Sequence, residues 1–508
     1  MIVIGEKAYW EPKPQTYIIS ESITKYKDKI AIDYFGKKLT YDELGRMINS
    51  VAYQLSPFIK KGDIVVLSTQ NIPQFIIAEY AVWKLGGVIL PVNPSYTKRE
   101  LEYLVKDSNA RLMIASCESN VADNLMVIRT NPRTFHEIPS EYAEKWKVMD
   151  CEEELDFRNG KDIQTVDLSS NDLALLVYTS GTTGNPKGVP ISHSNIYASS
   201  WIYRNWFKFD ENDKILGIAP FFHITGQIFH ITTSILSGSS IHISFRFDPE
   251  LSLETVEKSK TTLTMSVATT YRAMLNALDK QDLSSMRMWS SGGMPMPKTI
   301  EEEWKKRVGE WIYMAWGLTE TTSPATLWPY PYEGKLPVDP EYNIVSSGIP
   351  VYNTEIKIAE DGEVLVRGPQ VVKGYWKMEE FKDGWLPTGD IGKIINGWIY
   401  IIDRKKDIIN ASGFKVMPRE VEEVIYQHPA VDEVAVVGMP DQYRGETVIA
   451  YVKLKNNYSP SEELAKDIID YCRKFLAPYK VPREVKFVED IPKTPSGKIM
   501  RRIFKERS

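Results

Sequence analysis

The polar stretch Thr179-Ser180-Gly181-Thr182-Thr183-Gly184-Asn185-Pro186-Lys187-Gly188 carries four hydroxyls, three glycines and a lysine, directly after the apolar run from Leu173 to Tyr178. Glycines let a backbone turn sharply and bring its N–H groups close to a ligand. Hydroxyls add short donors, and the lysine adds a mobile positive charge. Together these groups suit a polyphosphate. A flexible surface connector has a similar composition, but it needs neither a buried strand leading in nor a lysine near its end. The spacing is not that of a P-loop, in which Gly-Lys-Ser/Thr follows a glycine after four residues. Nor is it the dinucleotide pattern G-x-G-x-x-G.

Other short segments carry chemistry-bearing residues further along: Pro220-Phe221-Phe222-His223, Ser291-Gly292-Gly293-Met294, Trp316-Gly317-Leu318-Thr319-Glu320, Thr388-Gly389-Asp390, the stretch from Asp403 to Glu422, and Pro495-Ser496-Gly497-Lys498. Each is weak alone. Taken with the loop, in this order and spacing, they resemble the motifs of the adenylate-forming superfamily of acyl-CoA synthetases, peptide-synthetase adenylation domains and luciferases. Among these, the chain most resembles a fatty-acid or aryl-acid CoA ligase.

The resemblance implies an activity and its co-substrates: ATP, Mg²⁺ and coenzyme A. A carboxylate is a poor electrophile, so it is first joined to the α-phosphorus of ATP, giving an acyl-adenylate and pyrophosphate. The acyl group then passes to the thiol of CoA and AMP leaves. Such an enzyme must mainly position groups and neutralise charge. By resemblance, Thr179, Ser180, Gly181, Thr182, Thr183, Gly184 and Lys187 hold the β- and γ-phosphates. Gly292, Gly293 and Met294 pass the adenine. Trp316, with Gly317 and Leu318, stacks on it; Trp stands where the pattern usually has Tyr, so a phenol hydrogen bond is lost. Thr319 donates to phosphate and Glu320 carries the metal, a hard cation suited to a carboxylate plus phosphate oxygens. Asp390 takes the ribose hydroxyls, and Arg404 reaches the ribose or phosphates. Lys498 bridges the attacking carboxylate and the α-phosphate.

Two half-reactions in one site imply movement of a small C-terminal domain about Lys406, after which Ser412, Gly413 and Phe414 approach the pantetheine arm. His223, counted with the catalytic set, and the residues up to His230 line the acyl site by resemblance. Ile224, Ile228 and Phe229 make it apolar. Gln227 occupies the position where some long-chain ligases carry a gating Trp, which puts a long-chain gate in doubt and leaves medium-chain, branched and aryl acids open. A stand-alone enzyme loading a carrier protein is the alternative reading. A luciferase-like oxidase is more remote, and an inactive ATP-binding regulator is disfavoured by the retained Lys498, Glu320 and Asp390.

The elements that position these residues follow from periodicity. Thr40/Glu43 and Thr97/Glu100 are capping-box patterns. Residues 64–67, 88–90 and 112–114 are short apolar runs alternating with helical stretches, which argues for parallel, doubly wound sheets. Ligands of such sheets bind beyond the carboxyl ends of strands, where the loop after Tyr178 falls. From about residue 340 the pattern changes to alternating strands with turns at Asp361-Gly362 and Asn396-Gly397, a small β-barrel-like subdomain. A compact α+β segment follows, with helices near 418–427 and 461–475. These signals divide the chain into residues 1–403, holding ATP and the acid, and a mobile lid at 404–508.

Bulk properties set limits. At 508 residues, 43% hydrophobic and 25% charged, the chain reads as a globular protein of more than one domain. A net charge of −5 argues against a nucleic-acid partner; the basic cluster Arg501, Arg502, Lys505 and Arg507 reads as a solvated tail. Residues 1–10 lack the apolar core of a signal peptide. No run approaches the roughly 20 apolar residues that span a bilayer, so no integral membrane association is expected. Cys117, Cys151 and Cys472 are odd in number and far apart, indicating neither a disulfide framework nor a Cys-based zinc site. A cytoplasmic setting fits, and a homodimer is compatible with it. His223 and His230 could share a helical face, but nothing nearby completes a metal site.

Overall fold

The computed structural model describes residues 2–179, 186–411, 413–441, 443–494 and 497–506. The apolar runs become the strands of two large sheets. One has the order Met126–Thr130, Leu112–Ser116, Ile64–Ser68, Val88–Pro91, Leu173–Thr179 and Lys187–Ser192. Its first five strands are parallel and its last pair is an antiparallel hairpin. Ile64–Ser68 is buried throughout, which is why its sequence shows no alternation. The other large sheet has nine strands, with a parallel core running from Ile312–Trp316 through Met288–Ser291, Leu263–Ser266, Lys214–Gly217 and Ser240–Ile243 to Ile30–Tyr34. Both expected capping boxes form. Asn71 links the two halves: its Nδ2 donates to the carbonyls of Gly217 (3.1 Å) and Ala219 (2.9 Å), and its Oδ1 accepts from the Phe221 amide (2.8 Å).

The alternating region forms a five-stranded antiparallel sheet, with hairpins closing at Asp361-Gly362 and Asn396-Gly397. Its edge strand, Ile2–Ile4, pairs with Glu355–Ile358, Val3 opposite Ile356. Three residues are too few to show a period, so this strand leaves no trace in the sequence. Trp398–Arg404 runs through the expected boundary at 403/404; a turn at 405–407 then leads to the C-terminal sheet, beginning at Ile409–Ala411. That sheet has its own apolar cluster, centred on Val434, Val436, Val448, Ala450 and Ile468. It is docked on the preceding residues through Arg272–Asp432 (2.8 Å) and the Arg419 amide on Asp403 (2.8 Å).

Two expectations are corrected. Cys117 and Cys151 are joined by a disulfide across 34 residues, whereas distance along the chain made them look unpaired. The segment around Cys151 returns beside the strand Met126–Thr130, with the Glu154 amide donating to the Arg129 carbonyl (3.0 Å) and Asn131 Nδ2 to the Cys151 carbonyl (2.7 Å). Cys472 is buried and free. The basic C-terminal cluster is not simply a solvated tail: Arg501 opens the helix Arg501–Glu506 and forks onto both carboxylate oxygens of Glu422 (2.8 and 2.7 Å). Sequence proximity of like charges concealed a partner 79 residues away.

Candidate active site

Lys498 lies where the C-terminal unit meets the large sheets. Gly497 accepts from Thr269 Oγ1 (3.0 Å), and the Lys498 amide donates to Thr494 Oγ1 (3.0 Å), fixing the backbone on both sides of the lysine. Its side chain passes over Gly293, which adopts φ +79° just beyond the strand Met288–Ser291; a Cβ there would stand 3.1 Å from Lys498 Cε. Glycine thus serves both the backbone angle and the close approach. Burial first, and then Arg404, lowers the Lys498 pKa to about 8, against the opposing pull of Asp390 and Glu320.

Asp390 is held from two sides. Trp316 Nε1–H donates to its Oδ2 (2.9 Å) and Arg404 Nε pairs with Oδ1 (2.7 Å). Burial raises the Asp390 pKa, while Arg404 and Trp316 oppose the rise. The replacement of Tyr by Trp therefore costs a phenol but supplies a donor, one the sequence could not place because its acceptor lies 74 residues on. Trp316 ends the strand Ile312–Trp316. Gly317 follows at a point where a Cβ would collide with the Ser323 carbonyl oxygen at 1.5 Å, so the turn after the strand admits only glycine. The Leu318 amide donates to Thr321 Oγ1 (2.8 Å), tightening the 3₁₀ turn Thr319–Thr321.

That turn brings Glu320 toward Lys187. Tyr375 Oη donates to Glu320 Oε1 (2.9 Å), and Lys187 Nζ sits 4.8 Å above the Tyr375 ring. The Trp376 amide donates to the Gly188 carbonyl (2.8 Å), and the Val372 amide to the Glu320 carbonyl (2.9 Å). The 372–376 segment thus ties the hairpin around Lys187 to the Glu320 turn. Tyr375 had no distinguishing motif and was missed in the sequence; its role depends entirely on what the fold sets beside it. Thr179 ends its strand opposite Lys187. Ser180, Gly181, Thr182, Thr183, Gly184 and Ser412 lie outside the described residues.

Glu320 Oε2 has no hydrogen bond among the described residues, which leaves one carboxylate oxygen for a cation. No group of three or more His, Cys, Asp or Glu side chains suited to a metal occurs among the described residues. A single carboxylate with phosphate oxygens and water is the usual Mg²⁺ environment, so the donor set fits a metal that arrives with the nucleotide.

His223 stands near Lys498; burial, then that lysine's charge, lowers its pKa to about 3, so its ring is neutral near neutral pH. His230 is buried elsewhere, its Nε2 accepting from the Ala219 amide (3.2 Å). Gly292 and Met294 flank Gly293 beside the lysine. Gly413 and Phe414 are not part of this cluster. Phe414 is 55% exposed and stacks on Tyr479 (4.6 Å) within its own unit, and a Cβ on Gly413 would meet nothing. Lys406 lies in the turn joining the two parts.

A strand pair carrying Lys187, an acidic turn at Glu320 and a buried lysine on the C-terminal unit suit an enzyme of the acid-activating kind. The chain matches the AMP-binding enzyme family over residues 19–376 and the AMP-binding enzyme C-terminal domain over residues 420–498. It is 35% identical to the long-chain-fatty-acid–CoA ligase of Bacillus subtilis, over 96% of this chain and 93% of that protein. It is 32% identical to the 2-succinylbenzoate–CoA ligase of a Geobacillus species, over 94% of both. Among solved structures, ATP-bound MatB from Rhodopseudomonas palustris matches with a TM-score of 0.83 at 27% identity, over 97% and 99% of the two chains. The o-succinylbenzoate CoA synthetase of Bacillus subtilis in complex with its acyl-adenylate intermediate gives 0.82 at 27%, over 98% and 99%. The protein belongs to the AMP-binding enzyme family.

Proposed function

We propose that the protein is an acid–CoA ligase that joins a carboxylic acid to coenzyme A through an acyl-adenylate. The observation that carries this reading is the convergence of Lys498, Asp390, Arg404, Trp316 and Glu320 from segments spread over nearly 200 positions. A carboxylate oxygen of the acid attacks the α-phosphorus, and the bridging P–O bond to the β-phosphate breaks, its electrons leaving on pyrophosphate. The Lys498 ammonium stabilises charge on the attacking carboxylate and α-phosphate. Lys187 and the 179–184 segment hold the departing phosphates, and Thr319 donates to them. Trp316, Gly292, Gly293 and Met294 frame the adenine, and Asp390 holds the ribose. Glu320 holds Mg²⁺, which neutralises phosphate charge when bound. In the second step the CoA sulfur attacks the acyl carbon and AMP leaves.

Residues 1–403 act as the ATP- and acid-binding part and 404–508 as the lid, turning about Lys406 so that Ser412, Gly413 and Phe414 meet the pantetheine arm. No helix of the described residues is long and apolar enough to cross a membrane. We place the enzyme in the cytoplasm, where ATP and CoA are supplied. Disulfides are uncommon in reducing compartments, so trapping Cys117–Cys151 in its cellular redox state is the sharpest check on that placement. A screen of carboxylic acids for pyrophosphate release, with and without CoA, tests the activity. Release coupled to thioester formation is expected. Release without thioester would point to carrier-protein loading, and no release with any acid would refute the reading.

A further inference from the structure

Tyr375 takes no part in the reaction steps above, yet it touches two groups that do. Its hydroxyl donates to Glu320 Oε1 (2.9 Å), and Lys187 Nζ lies over its ring, 4.8 Å from the centroid. The ring is itself held in place. Phe381 meets it edge to face at 5.4 Å, and the loop between the two is closed by the Phe381 amide donating to the Lys373 carbonyl (2.7 Å). Gly374 permits that loop, since a Cβ there would stand 2.7 Å from the Glu379 carbonyl oxygen.

Lys187 and Glu320 carry opposite charges on neighbouring segments, for the strand Lys187–Ser192 packs against the turn Thr319–Thr321. Glu320 is buried, where attraction to a nearby ammonium is poorly screened. Such a placement favours a direct Lys–Glu pair. None links these two among the described residues: the ring takes the ammonium and the hydroxyl takes the carboxylate. A direct pair would spend the lysine's charge before phosphate arrived and cover the carboxylate oxygen left for a cation. A cation–π contact at an open site is weaker than a charge-assisted hydrogen bond to phosphate. The ring therefore holds the ammonium loosely enough to give it up to the nucleotide.

We propose that Tyr375 is a positioning residue that keeps Lys187 and Glu320 from neutralising each other, so that the lysine stays available for the phosphates and the carboxylate for Mg²⁺. This rests on the acid–CoA ligase reading above. Each half of the side chain has its own task. The ring parks the ammonium, and the hydroxyl occupies Oε1 so that Glu320 presents Oε2. Removing the hydroxyl alone therefore disturbs only the metal's carboxylate, whereas removing the ring lets the two charges close on each other.

The test measures ATP binding to the full-length protein by calorimetry, without acid or CoA, in the presence and absence of Mg²⁺. Lys187→Gln should weaken binding by about tenfold. Tyr375→Phe keeps the ring, so binding without Mg²⁺ should match the wild type, while the gain that Mg²⁺ brings should shrink by about threefold. Tyr375→Leu should weaken binding by about tenfold in both conditions. Adding Lys187→Gln to Tyr375→Leu should then cost no more than about twofold further, because the lysine is already tied to Glu320. Losses that multiply would mean that Lys187 works independently of the ring, and overturn the inference. If the leucine variant does not fold, Tyr375→Phe decides alone: a several-fold loss without Mg²⁺, or an undiminished gain with it, overturns the inference. Pyrophosphate release by the wild type with a set of carboxylic acids separates the two readings. Release together with multiplying losses removes only this inference; no release with any acid removes both.

Discussion

Lys498 and Phe414 belong to the same C-terminal unit but have opposite surroundings. The lysine lies over Gly293 and feels the charges of Asp390 and Glu320, and the residue before it is held by Thr269. The phenylalanine is largely exposed and touches Tyr479 of its own unit. The large sheets grip the face that carries the lysine and leave the face that carries Phe414 open. This is the pose the proposal assigns to the first half-reaction, and the groups proposed for the second lie outside it. Lys406, in the turn between them, has its pKa lowered by burial and then by Arg404, Lys505 and Arg501, with Asp407 opposing.

The sharpest way to break this contrast is Lys498→Ala. Adenylation should fall by roughly two or more orders of magnitude, while thioester formation from preformed adenylate survives; equal loss in both would remove the division of labour. Lys406→Pro should do the reverse, lowering thioester formation by about tenfold or more while sparing adenylation, since a hinge must change its backbone angles. The two half-reactions assayed separately decide it.

pH probes the gripped face directly. Lys498 titrates at about 8, and the protonated form is the one that stabilises charge. The kcat/KM for ATP in adenylation should hold below pH 8 and fall above it, approaching about tenfold per unit; a flat profile to pH 9.5, as a ~1.5-unit excursion, would contradict the role. Trp316→Phe keeps the stacking surface but deletes the donor to Asp390, and KM for ATP should rise several-fold, about 1 kcal/mol. The smallest effect is expected for Asp432→Asn, which weakens the docking pair with Arg272. Adenylation should drop about twofold, with thioester formation unchanged or faster. A slower second step would mean that the pair holds the fold rather than the pose.

Much of this is legible in the sequence. The apolar runs, the capping boxes at Thr40 and Thr97 and the two hairpin turns are local signals, and local signals survive folding. The Trp316–Glu320, Thr388–Asp390 and Lys498 motifs also singled out residues that the fold brings together. What escaped were relations between distant segments. Tyr375 meets Glu320 across 55 residues, Trp316 meets Asp390 across 74, and Cys117 meets Cys151 across 34. The helix Pro73–Lys84 is buried from Pro73 to Trp83, Gln74 and Glu79 included. Periodicity reports which face is apolar, not whether the other face is covered too.

The short strand Ile2–Ile4 has a consequence for how the molecule is made. Its partner, Glu355–Ile358, is encoded some 350 positions later, Val3 waiting for Ile356. At roughly 5–20 residues per second of synthesis, that is an interval on the order of 20–70 s. Throughout it, residues 2–4 have no partner strand to join. The strand Ile2–Ile4 is therefore among the last parts of this sheet to be fastened, and a substitution at Val3 would act on a late event in assembly rather than on its start.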